Sequence, residues 1–171
     1  MLFRSHLSIG LFVFAALITR TISFWPLGTL NNPTVIATIF YLFGLILPDI
    51  DSPHSKISRH SPFFHYFASL FTKHRGFVHS IFSGFILMVG IGFILSFLNL
   101  NLANAGWFFI GYLVHLLTDG LTPHGVKLFF PISNATIRGP ISSGSFSEKV
   151  ISVLSYSAAL ILIVQSLGNI I

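Results

Sequence analysis

Two residues four apart, His115 and Asp119, carry the clearest chemical signal in the chain. On a helix that spacing brings both side chains out of one face about one turn apart, within reach of a single ion. Spacing alone fits a polar contact along a helix-packing seam as well. Two more carboxylates, Asp49 and Asp51, stand in Leu47-Pro48-Asp49-Ile50-Asp51, and two more imidazoles frame His74-Arg75-Gly76-Phe77-Val78-His79-Ser80. By itself the first stretch also reads as an Asp-rich turn. Five residues do not set His74 and His79 on one straight helical face, but Gly76 permits a loop-to-helix junction that could aim both at a common centre. His6, near the start, would alone be an interfacial histidine more often than a ligand. Imidazole and carboxylate together suit Zn, Mn, Fe or Ni better than Mg or Ca. With no cysteine in the chain, thiolate metal sites and disulfides are excluded.

Positioning such residues falls to an unusually apolar chain, 53% hydrophobic and 8% charged. Only four acidic residues occur, and Asp49, Asp51 and Asp119 are three of them. A carboxylate near lipid is costly, so metal binding is the economical reason to keep several. The composition excludes an ordinary soluble domain and implies an all-α integral membrane protein. A crossing needs roughly 20 apolar residues, so 171 residues hold one transmembrane helical domain, residues 1–171, and no separate soluble unit. Five apolar runs are expected to span, at about 7–25, 33–48, 77–98, 105–121 and 150–170. The second is short and starts at a cap-like Asn32-Pro33. These runs are too long, and too lacking in alternation, for barrel strands.

Lys and Arg prefer cytoplasmic loops. Of the nine present, all but Arg20 precede the first span or lie between spans two and three or four and five. The N-terminus is therefore expected in the cytoplasm and the C-terminus outside, in the plasma (inner) membrane. The first run has the basic start of a signal peptide, but no clear small-residue cleavage site follows it, so it reads as a retained span. The net charge of +5 marks orientation in the lipid bilayer, and without a basic helix or aromatic-basic motif no nucleic acid is expected. An up-and-down bundle then gathers His6, Asp49, Asp51, His74, His79, His115 and Asp119 at its cytoplasmic end. That donor set exceeds what one four-coordinate ion needs and leaves room for two. Arg75 either clamps an anion bidentately or serves as a positive-inside anchor. Ser80 and Gly84 read as helix packing. His60 and His65 fall in an aromatic interfacial stretch, His54 and His124 are outer-shell candidates, and the apolar Leu128–Pro131 is a re-entrant loop or a lid.

The Leu-Pro-Asp-Ile-Asp stretch, the His74–Ser80 stretch and Gly111-Tyr112-Leu113-Val114-His115-Leu116-Leu117-Thr118-Asp119 with Leu121-Thr122-Pro123 resemble the YdjM-type family of membrane-bound metal-dependent hydrolases. The likeness runs from His6 to about Pro131 and leaves the last span generic. It implies a small all-helical membrane domain whose motif histidines and aspartates bind metal. A more distant likeness, to the all-helical zinc-dependent phospholipase C and nuclease group through its His-x-x-x-Asp pair, suggests phosphoester chemistry and is fold-level analogy. His124 and Lys127 fall outside the family pattern and receive no role.

The expected activity is hydrolysis of a phosphoester, lipid included, at the cytoplasmic leaflet. A divalent metal, Zn or Mn first and one or two ions, would lower the pKa of bound water. Asp49 or Asp51 would orient the water as base, and Arg75 would stabilise charge on phosphate. No nucleophile elbow or cysteine triad competes with water. Two other classes stay open: a non-catalytic protein whose helix ends are tied together by metal, and a transporter. Transport would favour ionisable groups at mid-membrane and paired repeats, neither of which the sequence contains.

Overall fold

The computed structural model describes residues 1–19, 35–51 and 75–168. Among the described residues the regular secondary structure is helical apart from one isolated antiparallel bridge, between Val126 and Ile137. The helices are α1 (Phe3–Ile18), α2 (Val35–Ile46), α3 (Arg75–Val78), α4 (Ile81–Phe97), α5 (Ala103–Gly120) and α6 (Phe146–Gly168), with a 3-10 turn over Leu47–Asp51. Residues 20–25 and 33–34 of the expected first two spans, and 169–170 of the last, lie outside the described residues.

The first core joins α1, α2 and α5 around Tyr41, Leu45, Trp107 and Val114, with Leu7, Val13 and Phe14 packed against them. Tyr41 donates its hydroxyl to the Gly10 carbonyl at 2.7 Å, so its burial costs no orphaned polar atom. Two glycines let α2 and α5 approach closely. A Cβ on Gly44 would fall onto the Phe108 carbonyl, and one on Gly111 onto the Tyr41 carbonyl. Such small-residue contacts are how helices associate where lipid removes the hydrophobic drive between them. The second core sets Phe108, Tyr112 and Leu116 of α5 against Val126 and Leu128, so the Leu128–Pro131 stretch begins inside the protein.

Two helices end differently from the sequence expectation, each for an identifiable reason. The second run does not stay α-helical to Pro48: α2 stops at Ile46 and the chain tightens into the 3-10 turn. Proline lacks an N–H and disfavours α geometry in the residue before it. The third run is broken at His79 and Ser80 rather than continuous from Phe77. Ser80 is extended (φ −126, ψ 157), and its hydroxyl accepts from the Ser83 N–H at 3.3 Å and donates to the Phe77 carbonyl at 2.7 Å. The Ile81 N–H is satisfied by the Leu128 carbonyl at 2.9 Å. The Tyr112 hydroxyl closes the same corner on the Val78 carbonyl and the Ser83 hydroxyl.

Among the described residues one helix, over Phe146–Ser166, is long and apolar enough to cross a bilayer, and Phe3–Ile18, Val35–Asp49 and Ile81–Phe97 are shorter apolar helices. At 16 residues α1 is about 24 Å long, somewhat less than the hydrocarbon core. The outer faces are apolar: Phe85, Ile86, Val89 and Phe93 on α4, and Val153, Leu154, Leu160 and Val164 on α6, are all exposed. Surfaces of that kind are stable against lipid and not against water.

Candidate metal centre

Five donors from four stretches of chain meet at one end of the helices. His6 comes from the first turns of α1, Asp49 from the 3-10 turn after α2, His79 from the break before α4, and His115 and Asp119 from the last turns of α5. The His115 Nε2 lies 3.3 Å from Asp119 Oδ2 and 3.8 Å from Asp49 Oδ1. His6 Nε2 lies 3.2 Å from Asp119 Oδ1, and His79 Nε2 3.8 Å from Asp119 Oδ2. Two triads, His6/Asp49/His115 and His79/His115/Asp119, each bring one donor atom per residue within 4.8 Å of one another. The Met1 ammonium also reaches Asp119 Oδ1, at 3.2 Å.

The histidine tautomers follow from the hydrogen bonds on the far side of each ring. His115 Nδ1 faces the Leu45 carbonyl at 2.8 Å. A carbonyl only accepts, so Nδ1 carries the proton and the neutral ring has its lone pair on Nε2. Pro48, three residues after Leu45, has no N–H to offer that carbonyl, which helps leave it for the imidazole. Thr118 donates its hydroxyl to the His115 carbonyl at 2.7 Å, so toward His6 Nδ1, 2.5 Å away, it can only accept. His6 therefore also presents an Nε2 lone pair.

Both nitrogens are buried and make no hydrogen bond of acceptable geometry. Each lone pair instead confronts a carboxylate oxygen. The Met1 ammonium offsets part of the Asp119 charge, but two acceptors facing each other in a buried site still repel unless a cation lies between them. A proton on each ring would supply it only by stacking two imidazolium charges 4.1 Å apart. A divalent ion satisfies nitrogen and oxygen together, and an imidazole that donates its other N–H to a carbonyl or hydroxyl is the usual support for a metal-binding histidine. The donor set thus fits a metal ion.

Of the residues the sequence singles out, His6, Asp49, His79, His115 and Asp119 are brought together. His74, His54, His60 and His65, and the side chains of Asp51 and Arg75, lie outside the described residues. His124 is exposed. Gly84 packs against the Tyr112 ring.

A family profile described as YdjM inner membrane protein matches residues 1–170. The chain belongs to this family. Among its relatives, YvsG of Bacillus subtilis (strain 168) is 34% identical over 110 residues, which is 63% of this chain and 66% of YvsG. The inner membrane protein YdjM of Escherichia coli (strain K12) is 35% identical over 95 residues, covering 50% of this chain and 44% of that protein. The matched stretch is thus less than two thirds of either relative's length. No solved structure matches the chain. Membership in an inner membrane family agrees with the apolar outer faces and implies association with the bilayer.

Two supporting residues escape a reading based on spacing. Thr118 fixes the tautomer of His6, and its only sequence signal is its place beside Asp119 and three residues after His115. Glu148 is buried, accepting from the Leu2 N–H at 2.8 Å and the Gly144 N–H at 2.5 Å, so it ties the first turn of α1 to the start of α6. Its sequence signal is Ser145-x-x-Glu148, a capping-box pattern, with the Glu148 N–H donating to Ser145 Oγ at 3.2 Å.

Proposed function

We propose that this family member is a membrane-bound, metal-dependent hydrolase acting on a phosphoester, lipid or soluble, at the cytoplasmic leaflet, within a bundle of five membrane-crossing helices. One observation carries the reading: two buried imidazoles, each with Nδ1 engaged from behind, turn Nε2 atoms that lack a hydrogen-bond partner toward carboxylate oxygens. A divalent ion there supplies Lewis acidity and lowers the pKa of bound water. Zn or Mn suits the mixed nitrogen and oxygen donors.

Within this reading the chain's residues divide the work. His6, His79, His115 and Asp119 hold the metal. The Asp49 side chain, 31% exposed and 3.8 Å from His115 Nε2, borders both the donors and solvent, which suits it to orient water and take its proton. Asp51 and His74 remain candidate metal ligands on the sequence alone. Arg75 opens α3 four residues ahead of His79 and is assigned to the substrate's anionic oxygens, where a guanidinium forms paired hydrogen bonds. The basic loops that adjoin these residues in sequence support a cytoplasmic location for the site by the positive-inside rule.

The test is detergent-purified protein screened with Mn²⁺ and Zn²⁺ against a phosphomonoester, a phosphodiester and phospholipid vesicles. Turnover of one class, lost on chelation and in Asp49→Asn with metal retained, is expected. Activity that survives chelation and His115→Ala would overturn the mechanism. Stoichiometric metal with no hydrolysis of any class would favour the non-catalytic, metal-tied alternative.

A further inference from the structure

The His6 and His115 rings stack with centroids 4.1 Å apart and planes 4° from parallel. Proximity alone would assign both rings to one ion, since each contributes to the same triad with Asp49. Ring geometry argues otherwise. The Nε2 lone pair lies in the imidazole plane, and metal–nitrogen distances are about 2.0–2.1 Å. An ion shared by two face-to-face rings would have to sit between their planes, displaced from each by most of that distance, where neither lone pair points. Swinging the rings to converge would break the bonds from His6 Nδ1 to Thr118 and from His115 Nδ1 to Leu45, at 2.5 and 2.8 Å. Two in-plane ions, one per ring, avoid both costs. With both Nε2 atoms facing the Asp119 carboxylate, the two ions would lie about one stacking distance apart, close to the roughly 3.5–4 Å of two-metal hydrolytic sites.

Asp119 has the complementary arrangement. Its Oδ1 is the oxygen nearest His6 Nε2, at 3.2 Å, and its Oδ2 the oxygen nearest His115 Nε2, at 3.3 Å, and His79 Nε2, at 3.8 Å. Each carboxylate oxygen thus faces a different stacked ring, and Oδ1 also lies 3.2 Å from the Met1 ammonium, which an ion on that oxygen would displace. We infer that the centre holds two divalent ions bridged by Asp119, one on His6 and Oδ1, the other on His79, His115 and Oδ2. Asp49, close to both stacked rings, borders the pair. The inference rests on the metal-site reading above and deepens it. It gives an architecture suited to phosphoesters, in which two ions clamp the attacking and leaving oxygens of an in-line displacement.

Metal stoichiometry and spin coupling test it without recourse to activity. The full chain in detergent micelles is loaded with Mn²⁺, desalted, and measured for metal content and by electron paramagnetic resonance. Two ions per chain with an exchange-coupled spectrum are expected. His6→Ala and His79→Ala, each checked for unchanged helical circular dichroism, should retain one ion and show an uncoupled signal. Should His6→Ala fail to fold, His79→Ala and the wild-type spectrum still decide. One uncoupled ion in the wild type overturns the bridged pair and leaves the hydrolase reading standing. No bound metal overturns both. Loss of both ions in each folded variant overturns the assignment of separate ions to separate rings.

Discussion

The centre has a wall and a rim, built on different principles. The wall is His6 and His115, whose side chains are 3% and 0% exposed. They sit inside continuous helices, and the Nδ1 of each ring is committed to a protein acceptor. The rim is Asp49 and His79, 31% and 24% exposed. They sit where helices are interrupted, at the 3-10 turn after Pro48 and at the break capped by Ser80. Helix interiors hold a side chain at fixed height and azimuth, whereas a broken end can turn one toward solvent. The contrast teaches that His6 and His115 should dominate metal affinity, with His79 adding one donor from the rim, while Asp49 should govern access and chemistry.

The largest effect should come from removing the wall's foundation. Gly111→Val puts a branched side chain where even a Cβ would meet the Tyr41 carbonyl. Because the obstacle is backbone, α2 and α5 must separate, and the cost should reach about 3 kcal/mol or more. Detergent size-exclusion and thermal melts should show lost folded protein, with wall and rim failing together. A variant of wild-type stability would mean the two helices do not cross at this point.

Next in size is the direct contrast. His115→Ala should weaken binding of the ion that His115 faces by about 100-fold or more, since even outer-shell partners of a metal-binding histidine contribute 10–100-fold. Asp49→Asn should leave affinity within about 10-fold while turnover falls by about 10²–10⁴, the usual share of a general base. Titration with a competing chelator and kcat on the substrate class found by screening measure the two. Equal losses in both parameters for both variants would erase the distinction between wall and rim.

Much of this centre was legible in the sequence. His115 and Asp119 announce themselves by a four-residue spacing, and the apolar runs are helical over most of their described length, with a break at His79 and Ser80 and a 3-10 turn from Leu47. What sequence could not supply was direction. Nothing in the spacing says that His6 stacks on His115, because ring orientation is fixed by Thr118 and the Leu45 carbonyl, groups whose types are too common to stand out. Helix ends fall a few residues from the expected ones for a related reason: Pro48 and Ser80 act locally, while the hydrophobic pattern runs on through them. Glu148 stayed hidden because its capping box lies apart from the acids that neighbour histidines.

Thr118→Val tests whether orientation counts as much as identity. Valine keeps the shape but removes the acceptor for His6 Nδ1–H and the donor to the His115 carbonyl. His6 is then free to take either tautomer, and affinity should fall by about 10-fold, within the range for outer-shell partners. Competition titration checks this, with His115→Ala as the upper bound. No change in affinity would show that burial alone holds the His6 ring.

Pro48→Ala should have the smallest effect and probes the rim from the wall side. Alanine restores an N–H three residues after Leu45 and removes the restriction on Leu47. The Leu45 carbonyl has two lone pairs, so His115 need not lose its partner, and metal affinity should change by no more than about threefold. Asp49 has no such safeguard: if the substitution lets α2 continue past Leu47 as a regular helix, the carboxylate moves off the 3-10 position that faces His115. Turnover should therefore drop further than affinity, measured as kcat at saturating metal. A fall in affinity larger than the fall in turnover would mean that the proline serves the wall by reserving the Leu45 carbonyl, and that the turn it imposes on Asp49 is incidental.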